Sequence, residues 1–496
     1  MLPRRLIVTS LVLCLGSVGC GRDRKKQRKV APGGGSGGGK AEAGLDSVRS
    51  SPELRARLRL SAKVAPPPAQ EAPGEGPRVL HEPGSKGSYR AIRPVAVFQR
   101  PTTAAPIVGT VAKFTRLPRV RHVAGADCPG GFLELGASAY VCRKNLRVDR
   151  RPPQGKRQPT QGSNGLTPGT YGYIRTGGAK RYWTLEDGFH DRNGKPIEQS
   201  DTVRWAGKRF FQGMKFWRIT TGYFLRGDRV RRFWPSHMKG VDLRTSKLKL
   251  PLVFMASRRR RRIGEKIPPV DVHQRPRGKV VSTLERYSAW PTDDAVQGKE
   301  FRWYRVPGKG WVSSEMVRLA RVTDPPQGLH PAERWIDVDL EEQTLVAYRG
   351  RTPVYAALIG AGVWKYPTPT GVFRIYKKVA EADMKSEAKA SEQYRVDHVP
   401  WTMYFQRGYA LHGAYWHDGF GHARSHGCVN LSPRDARAIY EFTRPVVPDG
   451  WTSLRADEDH PGTAVRIRGK AAAPKPPKDA QSKKKPESRP AAMPRP

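Results

Sequence analysis

Cysteine is scarce in this sequence, with five among 496 residues. Cys14 and Cys20 lie near the N-terminus, and Cys128 and Cys142 lie close to each other. Cys428 is the only cysteine in the C-terminal two-thirds of the chain. The spacings of common zinc sites, C-x-x-C and H-E-x-x-H, are absent. The sequence therefore predicts no metal site, and it leaves Cys428 as a thiol without an evident disulfide partner.

Apolar residues are also in short supply. They make up 37% of the chain, while glycine and proline number 51 and 44. A chain of this length has room for roughly two to four domains, but this composition implies long linkers between them. Residues 21–86 contain a basic cluster, a Gly/Ser run and a triple proline, and they are predicted to be a disordered tether. Residues 471–496 are predicted to be a disordered basic tail.

Acidic residues are few: 44 Asp and Glu stand against 90 Lys and Arg, for a net charge of +46. Such a charge implies an anionic partner, which can be nucleic acid, an anionic membrane or an envelope polymer. No recognisable DNA- or RNA-binding motif accompanies the charge, so no specific nucleic-acid partner is predicted. The simpler alternative is a basic surface that only deters self-association.

The N-terminus carries one short apolar run, from Leu6 to Val18, which is too short to cross a bilayer. Two arginines precede the run and Gly19-Cys20 follows it, as in a secretory signal. The Gly-Cys ending resembles a bacterial lipobox with Cys20 lipidated, although Ser17 stands where that motif usually has Leu. We predict a signal peptide over residues 1–20 and an exported protein of the cell envelope or periplasm. It is either lipid-anchored to a membrane at Cys20 or released by plain cleavage.

Two segments of the chain repeat. Residues 97–101 read Val-Phe-Gln-Arg-Pro and residues 272–276 read Val-His-Gln-Arg-Pro, and short alternating apolar stretches follow each. The surrounding segments, 87–150 and 250–322, resemble bacterial SH3-like modules, a family that commonly binds cell-wall material. The resemblance implies two small β-barrels; barrels without a ligand are the alternative.

Cys128 and Cys142 lie in the first of these segments, and an oxidising compartment would allow them to form a disulfide. Between the two repeats, residues 165–245 are rich in aromatic residues and glycine, with several turn signals, and are predicted to be further β-structure. We expect the aromatic residues of this region to form its core rather than a sugar-binding platform.

From residue 334 the strand pattern becomes clearer. Residues 336–340 alternate apolar and polar side chains, a turn follows, and residues 344–348 supply a partner strand. Ser432, Pro433 and Asp435 predict the start of a helix, with Ser432 as the N-cap and Asp435 at the positive helix end. The chain is therefore predicted to be mainly β, with a short helix near its C-terminus.

A short stretch near the C-terminus combines a cysteine with several histidines. It contains the pair His412-Gly413 and, at 425–430, the run Ser-His-Gly-Cys-Val-Asn. A cysteine needs a base nearby to act as a nucleophile near neutral pH, and histidine is the usual one. His426, two residues from Cys428, and His412 are both candidate bases. If Cys428 is the nucleophile, backbone N–H groups around Gly427 can bind the oxyanion.

Residues 334–468 resemble the YkuD-type L,D-transpeptidase catalytic domain. The resemblance rests on the strand opening at 336–340, the Pro-Thr-Pro-Thr-Gly turn at 367–371, His412-Gly413 and the run at 425–430. It implies a β-sandwich-like fold with one or two small helices. It also implies Cys428 as the nucleophile and His412 as the base, oriented by the carbonyl of Gly413.

The resemblance further implies supporting roles around the nucleophile. Ser425 and Asn430 are expected to shape the nucleophile loop, and Trp416 matches a family aromatic near the donor site. The implied partners are peptidoglycan stem peptides and the wall polymer. Cys428 would release D-Ala from a tetrapeptide stem and pass the resulting acyl group to an amine, giving a 3→3 cross-link. No cofactor is implied, because the thioester conserves the energy of the broken peptide bond.

Other interpretations of this stretch stay open. Four histidines and Cys428 within 412–428 are potential zinc ligands, although their spacing matches no known site. Cys428 could also be an inert core thiol, or the domain a silent wall-binding scaffold. With water as the acceptor, the same chemistry would make a carboxypeptidase.

Overall fold

A computed structural model describes residues 87–199, 201–258, 268–385 and 395–470. The predicted signal with Cys14 and Cys20, the tether and the basic tail lie outside these described residues. The described residues form 34 strands and two α-helices, which confirms the mainly β prediction. No helix in these ranges is long and apolar enough to cross a membrane.

The first unit, residues 88–149, forms a three-stranded sheet in the order β4-β1-β8 and a second sheet that contains β3-β2-β7-β6-β5. Cys128 and Cys142 form a disulfide within it, which ties β7 to the loop between β5 and β6. The strands are β1 Ser88–Ala91, β2 Val95–Phe98, β3 Ile107–Val111, β4 Arg116–Pro118, β5 His122–Val123, β6 Phe132–Gly136, β7 Ala139–Cys142 and β8 Leu146–Asp149.

The third unit, residues 252–320, has the same topology as the first. Its sheets have the orders β20-β17-β24 and β19-β18-β23-β22-β21, so that each strand takes the place of its counterpart in the first unit. The strands are β17 Leu252–Met255, β18 Val270–His273, β19 Val280–Leu284, β20 Ala289–Pro291, β21 Asp294–Gln297, β22 Arg302–Val306, β23 Gly310–Ser313 and β24 Val317–Ala320.

The second unit, residues 170–232, is one sheet in the order β11-β10-β14-β13-β12-β9-β15. The start of β12 pairs with β9 and the rest of it with β13, across a bulge between Trp205 and Gly207. The bent strand β12 thus takes the positions of two separate strands of the other units, β4 and β5 in the first and β20 and β21 in the third. The elements are β9 Thr170–Ile174, β10 Lys180–Tyr182, α1 Leu185–His190, β11 Lys195–Pro196, β12 Thr202–Phe211, β13 Met214–Ile219, β14 Phe224–Arg226 and β15 Val230–Arg232.

The described residues therefore contain three copies of one topology. Two of the copies coincide with the segments 87–150 and 250–322, which the sequence analysis singled out as repeats. A weak common signal is present in the second unit as well. An aromatic residue precedes a buried aliphatic residue, and a second buried aliphatic residue follows five positions later. The three sets are Tyr140, Val141 and Leu146; Phe224, Leu225 and Val230; and Trp311, Val312 and Val317. That these units are SH3-like modules stays a prediction.

The C-terminal domain consists of two packed sheets and one helix. One sheet has the order β16-β27-β26-β25-β34-β28, and the other begins β32-β31-β30-β29-β33. The elements are β16 Val241–Asp242, β25 Arg334–Asp339, β26 Thr344–Arg349, β27 Thr352–Leu358, β28 Gly371–Arg374, β29 Lys377–Lys385, β30 Arg395–Gln406, β31 Tyr409–Gly413, β32 Val429–Leu431, α2 Pro433–Phe442, β33 Trp451–Arg455 and β34 Ala464–Arg468.

Helix α2 begins where the sequence predicts. The Ser432 hydroxyl accepts a hydrogen bond from the Asp435 N–H, and Pro433 occupies the first turn. Ala436, Ile439 and Tyr440 pack into the core between the two sheets. The helix follows directly after β32, and it therefore supports the strand pair that carries the candidate site.

The second sheet of the C-terminal domain continues into the first unit, because β33 pairs with β3. Gly109 makes this contact possible, since a Cβ there would lie 2.6 Å from the ring of Trp451. Trp451 and Leu454 also belong to the hydrophobic core of the first unit. One ten-stranded sheet thus extends across the two segments that the sequence analysis separated.

Candidate active site

Two neighbouring parallel strands carry the candidate catalytic residues. In β31 and β32, Leu411 pairs with Val429 and His412 pairs with Asn430. Leu411 and Val429 point into the core between the sheets. Since side chains alternate along a strand, His412 and Asn430 point to the opposite face. Cys428 precedes β32 directly, and it is brought beside β31 by the same pairing.

Cys428 is a free, buried thiol, with 2% of its surface exposed. Its Sγ accepts a hydrogen bond from the N–H of Ala410, in β31, and lies 3.9 Å from the carbonyl oxygen of Gly408. Burial raises the pKa of the thiol to about 11, although the hydrogen bond from Ala410 acts to lower it. The resting group is therefore a neutral thiol, and it needs a base to become a nucleophile.

His412 is buried as well, and its Nδ1 lies 3.4 Å from the carbonyl oxygen of Gly413. A carbonyl accepts a hydrogen bond only from a protonated Nδ1, so this contact favours the tautomer with a free lone pair on Nε2. Burial lowers the pKa of His412 to about 4, so the ring is neutral near neutral pH. The ring of Trp416 lies 5.7 Å from that of His412, centroid to centroid.

The segment before the nucleophile is held by its own side chains. Ser425 Oγ donates to the Cys428 carbonyl and accepts the Gly427 N–H at 3.0 Å. Gly427 has a φ of 118°, and a Cβ there would collide with the ring of Tyr409, so the turn requires glycine. The Gly427 N–H is engaged by Ser425 Oγ, so the amide of Cys428 itself is the better candidate for an oxyanion donor.

His426 occupies a different setting from His412. Its ring stacks on Tyr366 at 4.1 Å. Residues two apart, as His426 and Cys428 are, share a face on a fully extended strand. They do not do so here, because the positive φ of Gly427 interrupts the extended conformation between them. Ser425, by contrast, is hydrogen-bonded directly to the Cys428 carbonyl and to the Gly427 N–H.

The sequence analysis assigned no catalytic role to His417, which lies next to the site. Its Nε2 is 3.0 Å from the side-chain amide nitrogen of Asn430, and its Nδ1 accepts the Gly419 N–H at 3.2 Å. Burial lowers the pKa of His417 to about 3, so the ring is neutral with its proton on Nε2. Rotating the Asn430 amide by half a turn brings its oxygen to accept that proton. The only sequence signal for this contact was the histidine-rich composition of the stretch.

The histidines of this stretch have separate partners. His412 contacts the Gly413 carbonyl, His417 contacts Asn430, and His426 stacks on Tyr366. Within the described ranges, no three His, Cys, Asp or Glu side chains are grouped as metal ligands would be. The imidazole of His412 is oriented by the Gly413 carbonyl on β31, and Cys428 stands directly before the neighbouring strand β32.

Family comparison agrees with this geometry. Residues 333–467 match the model of the YkuD family, described as the L,D-transpeptidase catalytic domain. This segment is a YkuD domain. The resemblance seen in the sequence is thereby confirmed for the C-terminal domain. That the two upstream modules are SH3-like stays a prediction. No curated protein matches the chain.

Solved structures similar to the chain include three L,D-transpeptidases. The Enterococcus faecium protein is 24% identical over 27% of this chain and 50% of its own, with a TM-score of 0.22. The Stackebrandtia nassauensis protein is 22% identical over 30% and 60%, with a TM-score of 0.21. The Mycobacterium smegmatis protein is 18% identical over 52% and 91%, with a TM-score of 0.23. The chain thus spans less than two-thirds of the length of the first two.

Proposed function

We propose that this protein is a peptidoglycan L,D-transpeptidase that acts through a cysteinyl thioester. The observation that carries the proposal is the buried, free Cys428 beside strand β31, which presents the neutral imidazole of His412 on the same face of the YkuD domain. The proposed donor is a tetrapeptide stem of peptidoglycan, cut between its third residue, at an L-centre, and the terminal D-Ala.

In the first half-reaction, Nε2 of His412 takes the thiol proton and Sγ attacks the carbonyl carbon before D-Ala. The Cys428 N–H stabilises the resulting oxyanion. The C–N bond then breaks, the D-Ala nitrogen takes the proton from His412, and a thioester remains on Cys428. The raised pKa of the thiol makes this base necessary, since little thiolate exists without it.

In the second half-reaction, the amine of a neighbouring stem attacks the thioester carbon and gives up a proton to His412. The C–S bond breaks, the thiolate regains the proton, and the new amide is a 3→3 cross-link. Water as acceptor would give carboxypeptidase action, and a protein amine would attach a protein to the wall. The thioester conserves the energy of the first peptide bond, so neither half-reaction uses ATP.

A second candidate function is a silent wall-binding scaffold. The observation that favours it is the burial of Cys428, which leaves the thiol protonated and poorly accessible. The two candidates differ in whether Cys428 can be acylated at all.

The test uses the full chain and two measurements. With a disaccharide-tetrapeptide, the transpeptidase is expected to release D-Ala, and Cys428→Ala is expected to abolish the release. With meropenem, intact-mass measurement is expected to show one acyl adduct on the parent and none on Cys428→Ala. Release of D-Ala by Cys428→Ala would contradict the cysteine mechanism, and an unmodified parent would favour the scaffold.

The two candidate bases can be separated with the same assay. His412→Ala is expected to slow acylation by about 10²- to 10⁴-fold, the usual contribution of a positioned base. His426→Ala is the matched control, since it removes a buried histidine from the same segment. A larger loss of acylation rate in His426→Ala than in His412→Ala would make His426 the base.

We also propose that the protein is exported and lipid-anchored at Cys20, which supports a place next to the peptidoglycan. Its cationic surface would then meet the anionic polymers of the envelope. Cells grown with a labelled fatty acid should label the parent and not Cys20→Ala. Equal labelling of the two proteins would exclude lipidation at this residue.

A further inference from the structure

The stretch between the base and the nucleophile, residues 414–424, is here called the active-site loop. It begins directly after His412-Gly413 and ends directly before Ser425. Its His417 contacts Asn430, which is paired with His412 and lies two residues after Cys428. The loop is therefore linked, through His417 and Asn430, to the strand that carries His412 and to the strand that follows Cys428.

The outer side of this loop is covered by the third unit. Ala414 and Phe420 are buried in one hydrophobic cluster with Leu252 and Phe254 of strand β17. Gly421, in the loop, has a φ of 86°, and a Cβ there would lie 3.2 Å from the Cβ of Ala256. The third unit and the loop thus share a core, and neither packs completely without the other.

Polar contacts at Asp418 fix the position of the loop. Arg286 of the third unit donates to the Asp418 carboxylate at 2.6 Å and to the Asp418 carbonyl at 2.5 Å. Tyr287 donates to the same carbonyl at 2.7 Å. Ser236, which precedes the third unit, donates to the carboxylate from the other side. Both the side chain and the backbone of Asp418 are therefore held, which an ordinary surface ion pair does not achieve.

We propose that Arg286, Tyr287 and Asp418 are positioning residues for acyl transfer, through which the third unit holds the active-site loop in its reactive geometry. The third unit is then part of the catalytic machinery, in addition to any ligand it binds. This inference rests on the proposed function of Cys428. It requires that loosening the Asp418 contacts slows the chemistry at a thiol that these residues do not touch.

The test measures acylation of the full chain by meropenem, followed by intact mass. Arg286→Ala removes the two hydrogen bonds that Arg286 donates to Asp418. It is expected to slow acylation on the order of tenfold or more, because a small displacement of reacting groups lowers the rate strongly. Arg305→Ala is the matched control. It breaks an ion pair of 3.0 Å with Asp293 inside the same unit, and it is expected to react like the parent.

Two further readouts separate positioning from simple unfolding. Loss of folded protein would lower the final labelled fraction, whereas a positioning defect leaves full labelling that is reached more slowly. Arg286→Lys, which retains a cation able to reach Asp418, is expected to recover part of the rate. If Arg286→Ala does not fold, Tyr287→Phe carries the test, because it removes a single hydroxyl and should slow acylation in the same direction.

The outcomes distinguish the two proposals. If the parent is acylated and both Arg286→Ala and Tyr287→Phe react at the rate of Arg305→Ala, the positioning role is overturned and the proposed function stands. A slow Arg286→Ala that labels only partially also overturns it in favour of a structural role. If the parent itself forms no adduct and releases no D-Ala, the proposed function fails, and the positioning role fails with it.

Discussion

At the scale of single residues, burial keeps both reacting groups uncharged. It raises the pKa of the Cys428 thiol to about 11 and lowers that of His412 to about 4. A transfer of the proton between them at rest is therefore unfavourable. The charged pair forms only as the sulfur attacks, and the donors that bind the oxyanion must supply part of its stabilisation.

This pairing predicts an unusual pH profile for acylation by meropenem. A protonated His412 cannot accept the thiol proton, so the rate must fall as the pH drops through the pKa of His412. Because that pKa is lowered to about 4 from the model-peptide value of 6.5, the rate should be nearly flat through pH 6.5 and fall only toward pH 4. A half-maximal rate near pH 6.5 would show that the imidazole is solvated in the reactive state.

The sequence analysis named Cys428, His412 and Gly413 as nucleophile, base and orienting carbonyl. The structure places His412 and Gly413 on β31 and Cys428 directly before the neighbouring strand β32. Their individual roles stay predictions until the variants are measured. The sequence could not choose between His412 and His426 by geometry, because the positive φ of Gly427, where a Cβ would meet the ring of Tyr409, is a property of the folded loop.

At the scale of elements, the sequence predicts a helix or strand correctly where the contacts that stabilise it join residues close together in the chain. The start of α2 depends on three residues within one turn, and the sequence specified all of them. The pairing of β31 with β32 joins segments separated by the active-site loop, and no local rule gives its register. Helix α2 continues directly from β32, so its N-terminal cap also holds the end of the nucleophile strand.

The cap of α2 yields a stability prediction. Ser432→Ala removes the acceptor for the Asp435 N–H, and it should lower the free energy of unfolding by about 1 kcal/mol, as is typical for a lost N-cap. Ser432→Thr retains a hydroxyl and is the control. Urea unfolding of the full chain measures both. Equal losses in the two variants would mean that crowding at this buried position, and not the cap, controls stability.

At the scale of the whole molecule, the units are joined by more than linkers. The first unit extends the sheet of the YkuD domain, and the third shares a core with the active-site loop. The second unit contacts strand β29 through Arg204, which donates to both oxygens of Glu381 at 2.6 and 2.8 Å. Tyr171 of the same unit stacks on Tyr415, in the active-site loop, at 3.9 Å.

The Arg204–Glu381 pair predicts thermodynamic coupling between the second unit and the YkuD domain. The two side chains are 19% and 22% exposed, so a double-mutant cycle of Arg204→Ala and Glu381→Gln should give a coupling of about 1–3 kcal/mol. The control cycle is Arg121→Ala with Glu134→Gln in the first unit, where Arg121 is 73% exposed and about 0–1 kcal/mol is expected. Unfolding free energies measure both. A coupling no larger than that of the control would indicate that the units are energetically independent.

The sequence by itself determined the mainly β character, because alternating apolar residues within a few positions specify strands. It predicted the nucleophile, the base and two repeated segments from residue chemistry and short motifs. Only the tertiary structure decided how those parts combine. The third copy of the repeat, the sheet from β3 to β33, and the contacts of Asp418 with the third unit all join residues far apart in the chain. Such contacts depend on which surfaces are buried together, and a burial pattern belongs to the folded chain and not to any one segment.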